Sequence, residues 1–162
     1  MSFRSRTGPL DRVLGSLAYL LPILTALPFG VALYRSFPFL VQLLQPLFAI
    51  SFLEFNRFAS LIIFFALFAL VVRNPRINHF IRYNTALAIV TQIGLILCQL
   101  ILQFFLSPVL QAVGLGMVLE TFYTTLFLAV WAIAIFAWFK NIKGDYAEVP
   151  IISESAYRIV GM

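Results

Sequence analysis

The sequence predicts an all-α polytopic membrane protein, with four transmembrane helices and one short interfacial or re-entrant helical segment in a single domain over residues 1–162. Three observations carry this reading. The chain is 62% hydrophobic and only 10% charged, with a mean hydropathy of +1.01, whereas a soluble domain has about 45–50% apolar and about 25% charged residues. Apolar runs near spanning length recur along the chain, separated by short polar stretches. The basic residues cluster in alternate loops beside those runs, so that most fall on one side of the membrane, as in cytoplasmic loops.

The elements follow in order. Residues 1–11 form a basic arm with Arg4 and Arg6, set off by Gly8-Pro9, and Asp11 is placed to cap a helix from Arg12. Arginines ahead of an apolar run resemble a signal peptide, but Pro22, Pro28 and the lack of a cleavage pattern favour a retained first span, and no Ser/Arg-rich transit segment is expected. That span covers about 13–33, with breaks expected near Pro22 and Pro28-Phe29-Gly30. Its small residues Gly15, Ala18 and Pro22 offer a close-packing face. Residues 37–53 are apolar but short for a span, opened by Pro38, interrupted by Pro46 and carrying Gln42 and Gln45. They are read as interfacial or re-entrant. The second span covers about 55–72, with Arg57 snorkelling at its outer end. The third covers 83–106 and the fourth 119–139, separated by an uncharged loop at 107–118. A tail at 144–162 holds one short helix around Tyr157 and Ile159. Cys98 alone allows no intramolecular disulfide and is expected to be a small buried residue.

Topology rests on the stretch between the second and third spans. Arg73, Asn74, Pro75, Arg76, His79 and Arg82 form a loop with three arginines and no acid. Each arginine at the bilayer centre costs about 2.5–3.5 kcal/mol, while a Leu or Phe returns only about 0.3–0.6 kcal/mol. The loop therefore stays at the interface. Asn74-Pro75 ends the preceding helix, and Ile77, Phe80 and Ile81 suggest a short amphipathic helix on the membrane surface. With the N-terminal arm and this loop inside, an even number of crossings joins them. Nine of the eleven Lys and Arg residues then lie inside, leaving Arg35 and Arg57 outside. Both termini are expected on the cytoplasmic side. The same topology explains the net charge of +5, so no nucleic-acid partner is expected.

Within the spans one polar pattern stands out. Thr85, Gln92, Gln99 and Gln103 fall in a stripe about 40° wide on a regular helix. Thr121 and Thr124 lie near the start of the fourth span. Interhelical hydrogen bonding is the simpler reading of these residues, and lining a hydrated groove for a polypeptide is the sharper one. Glu120 fits the outer interface and the helix N-terminus. Catalysis has no support: there is one histidine, no cysteine pair and no nucleophile elbow, and no cofactor or metal is expected. His79 reads as an interfacial polar residue, although a neutral imidazole can ligate a pigment magnesium. The basic loop can also attract anionic lipid.

Several of these residues carry a family resemblance. Leu61 to Phe68, Val71-Val72-Arg73-Asn74-Pro75 and His79-Phe80-Ile81-Arg82-Tyr83-Asn84 resemble the family of the 20-kDa subunit of the chloroplast inner-envelope protein translocon, in its cyanobacterial or plastid-encoded members. Leu17 to Pro22, Leu27 to Gly30, Lys143-Gly144-Asp145-Tyr146 and Val149-Pro150 extend the likeness, which departs at Ala147, where a proline is implied. The resemblance implies four spans with both ends cytoplasmic or stromal, in a cyanobacterial plasma or thylakoid membrane or a plastid inner envelope. It implies a non-enzymatic subunit of a protein import complex, in contact with lipids, other subunits and transiting polypeptides, as an oligomer or hetero-complex. The alternative is a structural or assembly subunit of a larger photosynthetic membrane complex. A small-solute transporter has less behind it, with neither an intramembrane charge nor a repeat.

Overall fold

A computed structural model describes residues 7–52, 57–150 and 152–161. Among them every regular element is helical. Three helical runs are long and apolar enough to cross a membrane: Pro9–Ser36, His79–Ala112 and Gly116–Lys143. A shorter apolar helix occupies Leu61–Val72. The expected second span begins at residues 55 and 56, which lie outside the described residues, as do Arg4, Arg6 and Asn56.

The first run is built from α1 (Pro9–Leu17), α2 (Leu20–Ala26), a 3₁₀ turn (Leu27–Gly30) and α3 (Val31–Ser36). Its start differs from expectation. Asp11 is not the residue before the helix but sits in its first turn, where its carboxylate accepts the Gly8 N–H at 2.9 Å. The breaks fall where proline chemistry puts them. Pro22 has no N–H to offer the Ala18 carbonyl. The helix opens at Ala18–Tyr19, and Leu21 N–H takes that carbonyl at 3.3 Å instead. Pro28 imposes the second adjustment, the 3₁₀ turn. Residues 38–52 hold two short helices, α4 (Phe39–Leu43) and α5 (Gln45–Ile50). Leu44 is buried, and Leu47 and Phe48 pack against the core.

The second helix, α6 (Arg57–Ala66), passes into a π-helical turn at Leu67–Val72. The third, α7 (His79–Ile101), is the hub. Asn78 caps it, its Oδ1 accepting the Phe80 N–H at 3.1 Å. No separate surface helix precedes it. Ile77 lies before the cap, and Phe80 is fully buried in the first turn of the long helix. The apolar spacing read as a membrane-surface face is therefore a packing face of α7. The run continues through a π-helical turn (Leu102–Leu106) and α8 (Ser107–Ala112). The expected loop at 107–118 shrinks to residues 113–115. Pro108 lies inside this unbroken run, and its missing N–H falls next to the π-helical turn. Cys98 is exposed on the outside of α7 rather than buried.

The fourth helix, α9 (Gly116–Lys143), packs mainly along the first run. Its buried residues Phe127, Val130, Ala134, Ala137 and Asn141 recur at steps of three and four, a narrow coiled-coil-like seam. The alanines let the backbones approach. Gly144 ends α9 in the left-handed conformation, φ 78°. A Cβ there would come within 2.8 Å of Thr7 Oγ1, so conformation and space both call for glycine. The tail helix α10 (Ile152–Val160) buries Ser153, Ala156 and Val160 against α7.

Gly15 sets the spacing between the first run and α7. A Cβ at this position would stand 3.3 Å from both Phe80 and Asn84. Gly15→Leu is expected to cost about 1–3 kcal/mol by overpacking, read as a lower Tm of the purified chain in mild detergent. Gly94→Leu, where a Cβ meets nothing within 4 Å, leaves the Tm unchanged or raises it.

Candidate functional site

Two regions of α7 hold the chemistry, and they differ in cover. The N-terminal half is packed on nearly every side, by the first run, by the second helix and by the tail. The C-terminal half outruns its neighbours, leaving Ile96, Leu97, Leu100 and Ile101 exposed.

The stripe crosses both regions. Thr85 and Gln92 lie in the interior at 2% exposure each, and the Gln92 Oε1 is buried with no hydrogen-bond partner among the described residues. Gln99 is half-buried, and it lines a cavity of about 260 Å³ with Pro28, Phe29, Ala32, Glu120 and Tyr123. Gln103 lies on the outer surface, within the π-helical turn. The structure thus brings Gln99 together with Glu120, not with Thr121 or Thr124. Those two hydroxyls donate back to their own helix, to Met117 O at 2.9 Å and Glu120 O at 2.8 Å. Glu120 accepts from Arg35 at 3.1 Å across the cavity rim. Both partners are largely exposed, so the pair adds little stability, but it fixes the end of the first run beside the start of α9.

At the opposite end the central loop meets the tail. Arg73, Pro75 and Arg76 are exposed, and the Asn74 Oδ1 accepts the Arg76 N–H at 3.0 Å, making a tight turn. Asn78 Nδ2 donates to Asp11 at 2.8 Å. Arg82 reaches two helix ends at once: its Nε donates to Val72 O at 2.8 Å and its Nη2 to Val160 O at 2.9 Å. Both carbonyls are at helix C-termini, where the helix dipole favours a cation. Tyr83, fully buried, donates to Ala147 O at 2.9 Å. Because the bond uses the carbonyl, a proline at this position would accept it equally well. Asn84 accepts from Tyr19 at 3.1 Å and donates to Phe80 O at 2.9 Å. His79 Nδ1 lies 3.1 Å from the Tyr146 hydroxyl. Tyr146 also stands against the Phe80 and Tyr83 rings, and Tyr157 lies 4.5 Å from Tyr83, centroid to centroid. Burial first, and then the neighbouring Tyr83, push the Tyr157 phenol well above its usual range, so it stays neutral.

This end is also where α1 and α9 join. Trp138 Nε1 donates to Ser16 O at 3.0 Å, Asn141 Nδ2 to Ser16 Oγ at 3.2 Å and Arg12 Nη1 to Ile142 O at 2.8 Å. Sequence reasoning missed the docking of the tail. The available signal was the pairing of polar-tipped aromatics, Tyr83 with Tyr146 and Tyr157, which need partners for their hydroxyls when buried.

The fold and these two ends define a polypeptide that is helical throughout its regular elements among the described residues, with three helices of membrane length, its tail docked at one end and Gln99 and Gln103 at the less covered other end. The family model described as "Chloroplast import apparatus Tic20-like" matches residues 6–156, and the chain belongs to this family. A Tic20 family protein of Synechocystis sp. is 39% identical over 158 residues, covering 97% of each chain. The Arabidopsis thaliana protein TIC 20-v, chloroplastic, is 31% identical over 93% of this chain and 71% of its own. The Tic20 family protein Ycf60 of Gracilaria tenuistipitata var. liui is 31% identical over 90% and 72%.

Arg82 is the test of the end where the tail docks. Lysine has one compact ammonium and cannot reproduce two diverging guanidinium bonds. Arg82→Lys is expected to cost about 1–3 kcal/mol and to speed hydrogen exchange and proteolysis in residues 152–160, leaving the protection of α9 unchanged.

Proposed function

We propose that the chain is a non-enzymatic, multi-pass subunit of a membrane protein-translocation apparatus, with the outer half of α7 contributing to the path of the polypeptide. The observation that carries the reading is the family match over residues 6–156. Its local support is Gln99 and Gln103, whose amides make no hydrogen bond to the described residues of their own chain. An extended polypeptide inside a bilayer has unpaired N–H and C=O groups that lipid cannot satisfy. Amide side chains, each both donor and acceptor, can hold such a backbone without selecting its sequence. The action is passive, and other subunits or copies of the chain complete the path.

Four crossings with both ends on the cytoplasmic or stromal side fit this role. Support comes from the gathering of Arg12, Arg73, Arg82 and Lys143 at the end that holds the tail, with Arg35 and Glu120 at the other. The membrane is a plastid inner envelope or a cyanobacterial membrane. The relatives' names place some of them in chloroplasts and one in Synechocystis.

A second reading, an accessory subunit of a larger membrane complex such as a photosynthetic one, is favoured by Thr85 and Gln92, which act as packing residues within the chain. Photocrosslinkers at Gln92, Gln99 and Gln103 in native membranes separate the two. Translocation requires adducts to transiting polypeptides at Gln99 and Gln103, lost when synthesis or import is blocked, and none at Gln92. Adducts only to a constant set of membrane subunits would make this an accessory subunit.

A further inference from the structure

A second concavity lies away from the glutamines, between the first run, the second helix and the start of α7. It has a volume of about 490 Å³, and its wall is almost wholly apolar. Leu14, Leu17 and Leu24 form one side, Ile63 and Val71 the other, and Ile81 the floor. Leu14 and Leu17 are 44% and 51% exposed, so the groove opens sideways, into lipid, rather than into the bundle.

Its length and position define what fits. From Leu14 to Leu24 a helix rises about 15 Å, half of the roughly 30 Å hydrocarbon core. The groove therefore spans one leaflet, starting from the end that carries the central loop. A transmembrane helix of a partner would need a face running the full thickness. An acyl chain needs one leaflet.

The turn that joins two of the groove's wall residues is cationic. Val71 and Ile77 line the groove, and exposed Arg73 and Arg76 lie between them in the chain. Neither arginine forms an ion pair with an acid among the described residues. Asp11 at this end already accepts from Gly8 N–H and Asn78 Nδ2, and Glu148 lies on the tail side, toward Tyr83 and Tyr157. Arg82 is committed to its two carbonyls. Two exposed guanidiniums without an acid partner among the described residues, on the turn between two wall residues of a one-leaflet apolar groove, match a phosphate headgroup beside an acyl chain.

The geometry points to a specific binding site for one anionic phospholipid of the loop-side leaflet, with an acyl chain between the first run and the second helix and the phosphodiester on Arg73 and Arg76. This inference rests on the membrane orientation proposed above, but not on translocation.

The test uses the full chain in mild detergent, exchanged with phosphatidylglycerol or phosphatidylcholine of identical acyl chains. Native mass spectrometry reads retention, and photoactivatable acyl chains map the contact. Phosphatidylglycerol is expected to be retained on the order of tenfold better, with adducts in residues 14–24 and 63–71. Arg73→Gln with Arg76→Gln abolishes that preference while adducts persist. Leu17→Trp, at an exposed wall position, fills the groove and removes the adducts for both lipids. Equal retention of the two lipids, adducts spread over the outer faces of α7 and α9, or an unchanged adduct pattern in Leu17→Trp would each overturn the site. So would crosslinks from position 17 in native membranes to a polypeptide instead of lipid. Loss of polypeptide adducts at Gln99 and Gln103 leaves this result untouched, so the two proposals fail separately.

Discussion

A polar group held away from water must find its partner inside the protein, and the first two turns of α7 are governed by that requirement. Arg82, Tyr83 and Asn84 stand in consecutive positions, so they point to three different sides of one helix. Each finds its partner on a different segment: the ends of the second helix and of the tail helix, the irregular stretch before the tail helix, and the first run. A single hydrogen bond between membrane helices averages only about 0.6 kcal/mol. Their value lies in being mutually consistent. The loss of any one segment removes a partner from this set, and a group that stays covered without one costs more than the bond contributed.

The same residues explain why the chain resembles its family where it does. The piece Phe80-Ile81-Arg82-Tyr83-Asn84 is a set of contacts between distant segments, and the piece Lys143-Gly144-Asp145-Tyr146 contains the residue that must take a positive φ and the ring that Phe80 and Tyr83 pack against. Helix positions were legible because hydropathy and proline reveal them: the breaks at Ala18–Tyr19 and Leu27–Gly30 follow from Pro22 and Pro28. Polar spacing fixed the direction of the glutamine stripe but not its cover. Burial depends on which neighbours reach each turn, and no periodicity within α7 states where they stop. The burial of Phe80 and the exposure of Cys98 diverge from expectation for the same reason. The docked tail was hidden because its ties run mainly to backbone carbonyls, which every residue carries.

The molecule is graded from one end to the other. Around Ser16, Asn84, Asn141 and Trp138 the helices are knitted by side-chain bonds. Toward Arg35 and Glu120 the side-chain hydrogen bonds between helices thin to one exposed ion pair beside a small cavity, and ring contacts such as Phe29–Tyr123 and Tyr34–Phe127 join the first run to α9. The helices are thus anchored at one end and less constrained at the other. Local opening in proteins begins where few buried contacts oppose it, and the exposed outer half of α7 has fewer of them than its first turns.

The docking of α10 also bears on how the chain is made. The carbonyls that satisfy Arg82 and Tyr83 include Val160 and Ala147, which a ribosome adds only after every long helix has been synthesised. Until then, the start of α7 carries a guanidinium and a phenol without their final partners, and water at the membrane surface has to stand in for them. The start of α7 is therefore fully satisfied only when residues 147–160, which follow the long helices in the chain, have folded back onto it.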